Sequence, residues 1–447
     1  MADDRADPLL RWRTEFPILD TCTYLVSHSL GAMPQSAEDE LLAYAREWRT
    51  RGVRAWHEGW WEIGRTTGDL LAPLLGVEPG TISMHQNVTV AQSIVASCQS
   101  YGGHRRRIVT SELEFPSNMY LFEGFRRFGA EVHYVPTPDG IRIPLEAMLD
   151  AIDDSTALVV ASLVLFKSAY IQDAAAIVEK AHRVGARVVL DVYQATGTVP
   201  LAIGDWGADF AVGGSVKWLC GGPGAGYLYV RPDLAHELKP AVTGWAAHAQ
   251  PFAFAAGPIE YAEAPAERFQ TGTPNVPALY AARAGYRILN EMGVARIRAK
   301  SLRLTRRIID HALARGYRLN TPLADAERGG TVVVDVPDGA RVNDALIARG
   351  VIVDYRSGAG IRVAPHFYNT EAEVDHAMAA LDELVASQGS GGRGAQVSRL
   401  RAQASGSPAS PPRSARGPRE APEGSPARSD GPPSARERGW GPASSKK

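Results

Sequence analysis

Residues 211–227 read AVGGSVKWLCGGPGAGY, and this stretch places a single lysine, Lys217, among apolar and small residues with no acidic neighbour. An ammonium group strongly prefers water, so its placement here requires a chemical explanation. The AVGG before it ends a short apolar run that is typical of a buried strand, and the GGPGAG after it predicts a tight turn. The lysine therefore follows the end of a strand, where open α/β sheets carry their binding and catalytic groups.

The chain before Lys217 alternates short apolar runs with helical segments. The runs at 156–164 (TALVVASLV), 186–192 (ARVVLDV) and 208–214 (ADFAVGG) predict strands that are buried on both faces. Between the first two, residues 174–185 (AAAIVEKAHRVG) have a helical period and end on a glycine. This alternation predicts an α/β fold with a mainly parallel sheet flanked by helices. Residues 276–316 then supply long helices, and the runs GTVVVDVP and GIRVAP predict strands of a smaller α+β domain.

We predict four parts in the chain. They are an N-terminal segment that packs with the small domain (1–55), a large domain that carries Lys217 and any ligand bound to it (56–285), a small C-terminal domain (286–387) and a disordered basic tail (388–447). The tail consists mostly of Pro, Gly, Ser, Ala and Arg. Without apolar periodicity, it cannot bury enough surface to offset a chain entropy of about 1–2 kcal/mol per residue.

The composition is that of an ordinary globular protein of 447 residues. The apolar content is 45%, the charged content is 22% and the formal net charge is −1, so we expect neither nucleic acid nor a membrane as a partner. The N-terminus MADDRADPLLRW lacks the apolar stretch of a signal peptide, and no apolar run approaches the roughly 20 residues of a membrane span. Three widely separated cysteines argue against a disulfide framework, and we therefore expect a cytoplasmic location.

Asp191 supplies a second chemical group. It closes the run RVVL one strand before Lys217, so the two side chains are expected at neighbouring strand ends. A helix cap or an ion pair would explain Asp191 alone, but not the aspartate, the lysine and the glycine-rich turn together. Pyridoxal phosphate chemistry needs this pair. Apolar surroundings lower the lysine pKa from about 10.4 so that its amine attacks the aldehyde, and the carboxylate keeps the pyridine nitrogen protonated.

Two further features of that cofactor have candidate partners in the sequence. The helical period VTVAQSIVASC opens at Val88 and Thr89, where free backbone N–H groups would bind a phosphate. The ring of Phe115, in EFPSNMY, is a candidate to stack on the pyridine ring. Lys217 is then best explained as a Schiff-base lysine, and we predict no metal site.

Several motifs extend this interpretation to a family. In chain order they are YLVSHSLGAMP, WHEGWWEIG, EFPSNMY, VVLDVYQATGTVPL, WGADFAVGGSVKWLCGGPGAG, KPAVTGW, FQTGTPNVPAL and GVIVDYRSGAGIRVAPHFYNTEAEVD. From about residue 16 to residue 384 the sequence resembles the kynureninase family, part of the class-V aminotransferase group of fold-type-I (aspartate-aminotransferase-like) enzymes. The resemblance implies pyridoxal 5′-phosphate as the cofactor, a small amino acid as the substrate, and a homodimer whose subunits complete each other's sites.

The resemblance also implies a role for each matching residue. Lys217 would bind the cofactor and move the substrate Cα proton, and Asp191 would pair with the pyridine nitrogen. Arg362, in GIRVAP, would bind the substrate α-carboxylate, although a surface arginine in a strand is the alternative. His28 and His57 are expected near the substrate. The other implied cofactor contacts are Val88, Thr89, Phe115, Asn118, Ser162, Gln194, Trp245 and Thr273.

The sequence departs from the family pattern at several of these positions. Val216 stands where the family has a tyrosine, and Gln194 stands where it has a histidine. His28, Asn118 and Thr273 replace an asparagine, an aspartate and an asparagine, respectively. Cleavage of the kynurenine side chain needs proton delivery, and the loss of one general acid costs about 10²–10⁴ in rate. The candidates to replace the missing tyrosine are Tyr193, Tyr170, His57 and His28.

Three functions stay open from the sequence. The first is hydrolysis of L-kynurenine or a related β-acyl amino acid to an anthranilate-type acid and alanine, which we place first on overall similarity. The second keeps Lys217, Asp191 and Arg362 but performs β-elimination such as C–S cleavage, transamination or decarboxylative deamination on another amino acid. The departures at Val216 and Gln194 favour this second function. The third is a catalytically silent scaffold that acts through its basic tail, and the retention of all three groups argues against it.

Overall fold

The structure, a computed structural model, describes the backbone of residues 7–404 and the side chains of residues 7–387. The chain divides into two compact units, Met1–Gly391 and Gly392–Lys447, and the residues of the candidate site belong to the first. A final helix runs from Glu371 to Ala404 and so includes the beginning of the tail predicted at 388–447. The remainder of that tail lies outside the described residues.

Helices and strands alternate along the first unit. The strands are β1 (Thr23–Tyr24), β2 (Ile82–His85), β3 (Arg107–Ser111), β4 (Glu131–Val135), β5 (Thr156–Ser162), β6 (Arg187–Asp191), β7 (Phe210–Gly214), β8 (Gly226–Val230), β9 (Arg318–Leu319), β10 (Val332–Asp335), β11 (Val351–Ile352), β12 (Asp354–Arg356) and β13 (Gly360–Val363). The helices are α1 (Gln35–Arg51), α2 (Ile63–Leu75), α3 (Val88–Ser97), α4 (Pro116–Phe125), α5 (Leu145–Ala151), α6 (Ala174–Arg183), α7 (Pro232–Ala235), α8 (Pro265–Arg268), α9 (Val276–Met292), α10 (Val294–Ala314), α11 (Gly339–Ala348) and α12 (Glu371–Ala404). Among the described residues, no helix is both long enough and apolar enough to cross a membrane.

Seven strands form the central sheet, in the order β2-β8-β7-β6-β5-β3-β4. The strands from β7 to β4 in this order pair in parallel. β8 runs antiparallel to both of its neighbours. The mainly parallel sheet predicted from the alternating apolar runs is therefore confirmed.

Both faces of this sheet are buried, as its apolar strands require. In β5, Leu158 and Val160 belong to one apolar cluster, whereas Val159 and Ala161 belong to another. Helices α3 and α4 contribute to the first cluster, and α2, α6 and α9 contribute to the second. A strand that is covered on both faces has no solvent-exposed side where polar residues are favoured, and its sequence is therefore continuously apolar.

The C-terminal part of the first unit has its own smaller sheet. Its four strands are antiparallel, in the order β12-β13-β10-β9. Helices α10, α11 and α12 pack with this sheet around a separate apolar cluster. The N-terminal segment also contacts this part, because β1 pairs in parallel with β11 through Thr23 and Val351.

The carboxyl ends of β5, β6 and β7 lie side by side. The register pairs Ser162 with Asp191, and Asp191 with Val212. Lys217 follows three residues after β7 ends at Gly214. Parallel pairing thus brings together side chains from three strands that are separated along the chain.

Helix α9 packs closely against the loop that follows Lys217. Gly285 lies inside this helix, and a Cβ atom added there would overlap the backbone carbonyl oxygen of Leu219. Gly124, inside α4, offers the opposite case, because a Cβ atom there would meet nothing within 4 Å. The two glycines are therefore a matched pair for testing how tightly the lysine loop is held.

We expect Gly285→Ala to lower the free energy of unfolding by about 1–3 kcal/mol, because the helix or the lysine loop must move to accept the methyl group. Gly124→Ala should instead raise it by about 0.5–1 kcal/mol, since alanine is the better helix former. Urea unfolding of both variants measures the difference. An equal effect of the two substitutions would contradict the close packing of α9 on the loop.

Candidate active site

A cavity of about 190 Å³ lies at the carboxyl ends of β5, β6 and β7. Its walls come from the strand ends, from the start of α3 and from the segment that begins α4. The lining residues are Asn87, Val88, Thr89, Phe115, Ser117, Asn118, Ser162, Val164, Phe166, Asp191, Tyr193, Gln194 and Lys217. The sheet thus brings Ser162, Asp191 and Lys217 to the wall of one cavity.

Lys217 is half-buried because it faces this cavity. Its Nζ atom lies 4.2 Å from the centroid of the Tyr193 ring and 5.5 Å from that of Phe115. Burial is the main cause that lowers the pKa of Lys217 to about 8; the nearby carboxyl of Asp191 opposes the shift, and the guanidinium of Arg362 adds to it. A lysine with such a pKa offers an appreciable fraction of neutral, nucleophilic amine near neutral pH.

Tyr193 forms the surface beneath the lysine. Its ring fits there because β7 ends in glycine: a Cβ atom on Gly214 would lie 2.6 Å from the Tyr193 hydroxyl oxygen. Burial, with a further contribution from Asp191, raises the pKa of Tyr193 well above its ordinary value. The hydroxyl is therefore protonated at physiological pH.

Asp191 is the last residue of β6 and is buried. One carboxylate oxygen accepts a hydrogen bond from the Asn118 amide nitrogen at 2.9 Å, and the other accepts one from the Tyr193 backbone N–H at 2.9 Å. Burial raises the pKa of Asp191, while these two donors and Lys217 oppose that shift. A carboxyl held at the edge of an apolar cavity is suited to a cationic partner.

The N-terminus of α3 borders the same cavity. The Asn87 side chain caps this helix by accepting the Val90 N–H at 3.0 Å. Val88 and Thr89 occupy the first turn and line the cavity. The first turn of a helix has backbone N–H groups without helical partners, and together with the helix dipole they favour an anion such as phosphate.

Phe115 stands immediately before α4, and its side chain is 44% exposed. Its ring contacts Phe166 edge to face, with centroids 5.2 Å apart. An aromatic ring that is left partly exposed at a cavity wall provides a surface on which a flat ring can stack.

Arg362 lies in β13 and is buried behind the cavity wall. Its guanidinium donates to both carboxylate oxygens of Asp354, at 2.7 and 2.5 Å, and to the backbone carbonyl of Phe166 at 2.7 Å. His28 contacts the same carboxylate through Nε2 at 2.9 Å. Burial, opposed by Asp354, lowers the pKa of His28 to about 4, so its imidazole is neutral at physiological pH.

Gln194 links the cavity to its surroundings. Its amide nitrogen donates to the backbone carbonyl of His28 at 3.1 Å, and its amide oxygen accepts from the Trp218 indole N–H at 3.0 Å. Both ends of the amide are therefore occupied. A glutamine at this position joins the N-terminal segment to the residue that follows Lys217.

The structure brings together most of the residues proposed for the site. Eight line the cavity: Val88, Thr89, Phe115, Asn118, Ser162, Asp191, Gln194 and Lys217. Arg362 and His28 lie directly behind it. Three others lie elsewhere: Thr273 lines a different cavity, His57 is exposed beside Phe252, and Trp245 lies against Trp61.

Sequence reasoning missed two carboxyl groups near the site. Asp354 holds Arg362, as described above, and Glu114 is buried beside Asn118 and Ser162. A signal for Glu114 existed, since it lies within the motif EFPSNMY directly before the proposed stacking ring. Nothing in the sequence marks Asp354 as the partner of Arg362, because their pairing follows from the register of β12 and β13.

The groups present fit pyridoxal 5′-phosphate. A lysine of lowered pKa, a buried carboxyl, a helix N-terminus and an exposed phenyl ring border one cavity. They match the aldehyde, the pyridine nitrogen, the phosphate and the ring face of that cofactor. The arrangement can activate an amino acid at its Cα atom.

Comparison with known proteins supports this assignment. The family model for class-V aminotransferases matches residues 23–376. A kynureninase of Bacillus cereus is 32% identical over 397 residues, which cover 86% of this chain and 92% of the relative. An uncharacterized aminotransferase of Bacillus subtilis is 31% identical over 378 residues, covering 84% of this chain and 97% of that protein.

Solved structures show the same fold at lower identity. The cysteine desulfurase of Thermococcus onnurineus NA1 superposes with a TM-score of 0.75 at 20% identity, covering 84% of this chain and 98% of that one. The cystine C-S lyase C-DES superposes with a TM-score of 0.74 at 22% identity, covering 82% of this chain and 98% of that one.

The fold and the site define a pyridoxal-phosphate enzyme of fold type I. The chain belongs to the class-V aminotransferase family and, within it, is a kynureninase-like member. Its cofactor is pyridoxal 5′-phosphate. The family resemblance and the fold class inferred from the sequence are both confirmed.

The lowered pKa of Lys217 predicts how the cofactor-free protein captures pyridoxal phosphate. Only the neutral amine attacks the aldehyde, and its fraction rises with pH until it reaches one half at the pKa of about 8. The capture rate should therefore rise about tenfold per pH unit below that value and level off above it, as rapid-mixing absorbance would show. A free lysine derivative is the control, and its rate should rise to about pH 10. A protein rate that does the same would contradict the prediction.

Proposed function

We propose that this protein hydrolyses L-kynurenine, or a related β-acyl amino acid, to an anthranilate-type acid and alanine. The observation that carries the proposal is one cavity in which Lys217 and Asp191 meet, with Arg362 directly behind it. The support for the substrate is the 32% identity to a kynureninase over 86% of the chain.

In this proposal, the lining residues hold the cofactor. Asp191 holds a proton on the pyridine nitrogen, Val88 and Thr89 donate backbone N–H groups to the phosphate, and Phe115 stacks on the ring. Once bound, pyridoxal phosphate supplies an electron sink for the carbanion at the substrate Cα. Lys217 moves the proton at that Cα atom, which its lowered pKa suits near neutral pH.

Arg362 binds the substrate α-carboxylate in this proposal. The guanidinium has five N–H donors. Three are used inside the protein, two on Asp354 and one on the Phe166 carbonyl. One N–H on each terminal nitrogen remains, and in this proposal these two N–H groups donate to the two oxygens of the substrate carboxylate.

Hydrolysis also needs a proton donor for the substrate side chain. Of the four candidates to replace the family tyrosine, only Tyr193 lines the cavity. A phenol carries its proton at working pH, and the raised pKa of Tyr193 keeps it protonated while making it a weaker acid. We therefore assign this role to Tyr193.

The alternative function is chemistry that needs no such donor: β-elimination with C–S cleavage, transamination or decarboxylative deamination of another amino acid. The observation that favours it is the cavity wall, whose lining residues include one tyrosine and no histidine. Lys217, Asp191 and Arg362 are sufficient for the shared steps at Cα. Their joint retention argues against a catalytically silent scaffold.

We further propose that the protein acts as a homodimer. Trp245, Thr273 and His57 belong to the family-implied site but lie outside this chain's cavity. Trp245 also belongs to an exposed aromatic group with Phe252 and Phe254. The family resemblance implies that these three residues complete the site of a second copy, and the exposed aromatic group is the surface that we propose this copy covers.

A cytoplasmic location is proposed on the cysteines. The structure describes Cys22, Cys98 and Cys220 as free thiols. Free cysteines are typical of proteins that work in a reducing compartment.

We expect purified protein loaded with pyridoxal phosphate to convert L-kynurenine to anthranilate and alanine, measured by chromatography of both products. Lys217→Ala should abolish this turnover and the visible absorbance of the lysine-bound cofactor, since no other amine borders the cavity among the described residues. Lys167→Ala, which alters a lysine of a separate polar cavity, is the control and should keep the absorbance. Wild-type protein with the absorbance but no anthranilate would favour the alternative function.

Val216→Tyr restores the family residue next to the lysine. A second general acid beside the one that we assign to Tyr193 should speed kynurenine cleavage, by at most the factor of about 10²–10⁴ that a missing general acid costs. Val216→Phe adds a similar ring without the hydroxyl and should give no such gain. Equal rates for the two variants would show that the hydroxyl at this position does not matter here.

A further inference from the structure

Glu114 is a buried carboxyl that the function described so far does not use. It lies between β3 and α4 and is 2% exposed. Its two oxygens accept hydrogen bonds from the backbone N–H and hydroxyl of Ser162, at 2.9 and 2.5 Å, from Asn118 at 3.3 Å and from Ser111 at 3.4 Å. Four donors directed at one carboxyl hold it in a fixed orientation.

Asn118 connects this carboxyl to Asp191. Its amide nitrogen carries two hydrogens, and it donates to Glu114 at 3.3 Å and to Asp191 at 2.9 Å. The amide therefore stands between two acids and is a donor to both. An aspartate at position 118 could not do this in its ionised form, because a carboxylate only accepts hydrogen bonds.

We propose that Glu114 is a positioning residue of the cofactor site, which fixes the Asn118 amide and, through it, the carboxyl of Asp191. The inference rests on the proposed contact between Asp191 and the pyridine nitrogen. It also explains the departure at position 118. Asp191 is one acid of this part of the site, and Glu114 supplies the second. Asn118 then provides the amide that donates a hydrogen bond to each of them.

The charge of Glu114, like its hydrogen bonds, supports the proposed contact between Asp191 and the pyridine nitrogen. Burial, with a smaller contribution from Asp191, raises its pKa to about 7, although the hydrogen bonds from Ser162 and Asn118 oppose the shift. When Glu114 is ionised, its negative charge raises the proton affinity of Asp191 and of the pyridine nitrogen that Asp191 is proposed to contact. A protonated pyridine nitrogen is then favoured, and with it the electron sink.

The first experiment compares Glu114→Gln with Glu112→Gln. Glu112 is an exposed carboxylate two residues earlier, bonded to the Thr137 backbone N–H, and so is a matched control. A glutamine at position 114 replaces one accepting oxygen by an NH₂ group, which cannot accept the hydrogen bonds that Ser162 and Asn118 donate to Glu114. We expect the dissociation constant of pyridoxal phosphate to rise about tenfold or more in Glu114→Gln and the visible band to shift, in addition to the loss of melting temperature that the mismatched amide causes in the cofactor-free protein. Glu112→Gln should match the wild type.

The second experiment is a double-mutant cycle with Asn118→Asp. This variant alone places three carboxyls together and should weaken cofactor binding strongly. Adding Glu114→Gln should recover part of the affinity, because the new amide can donate to the carboxylate introduced at position 118. Strictly additive losses would overturn the inference. An unchanged dissociation constant of pyridoxal phosphate in Glu114→Gln would also overturn it. If Glu114→Gln does not fold, an unchanged dissociation constant in Asn118→Asp would do the same.

These outcomes are separate from failure of the proposed function. If the cofactor does not bind near Asp191, Asp191→Asn will bind it as tightly as the wild type and the proposed site fails. If Asp191→Asn loses the cofactor while Glu114→Gln keeps it, only the role of Glu114 is lost. Loss of melting temperature in Glu114→Gln without a change in cofactor affinity would show a purely structural residue and would overturn the inference.

Discussion

The parallel pairing of β6 with β7 is the constraint on which the site depends. It places the end of one buried strand, Asp191, beside the end of the next, and Lys217 follows three residues further on. Both groups lose water there, so the ammonium becomes easier to deprotonate and the carboxyl harder to ionise. Each shift is limited by the other group. The sheet thus provides both the position of the two groups and the electrostatic conditions around them.

The surrounding elements hold this pair rather than react. Helix α9 packs on the residues after Lys217, Gly214 leaves room for the Tyr193 ring, and Gln194 joins the N-terminal segment to Trp218. These contacts connect parts of the chain that are far apart in sequence. Contacts of this kind hold the residues of a site in fixed positions.

The sequence was sufficient to predict the groups that lie at strand ends and helix starts. Continuous apolar runs identified β5, β6 and β7, and Asp191 and Lys217 were predicted at or just after the ends of β6 and β7, whereas Ser162 was proposed from the family resemblance. Contacts between distant segments were out of reach. The pairing of Arg362 with Asp354 depends on hairpin register, and the hydrogen bonds of Glu114 depend on the packing of a loop against β5. Trp245, Thr273 and His57 were implied by the family, and no local pattern reveals where they lie.

The internal partner of Arg362 has a consequence for selectivity. A buried arginine without a counterion carries a free-energy cost until a ligand carboxylate binds it. A ligand that has no carboxylate would not remove that cost. Here Asp354 compensates the guanidinium at all times. An amine that has no carboxylate can therefore enter the cavity without leaving the Arg362 guanidinium unpaired. With Arg362 in its proposed role, discrimination between amino acids and simple amines comes from the hydrogen bonds that the carboxylate gains on binding, and not from a penalty for its absence.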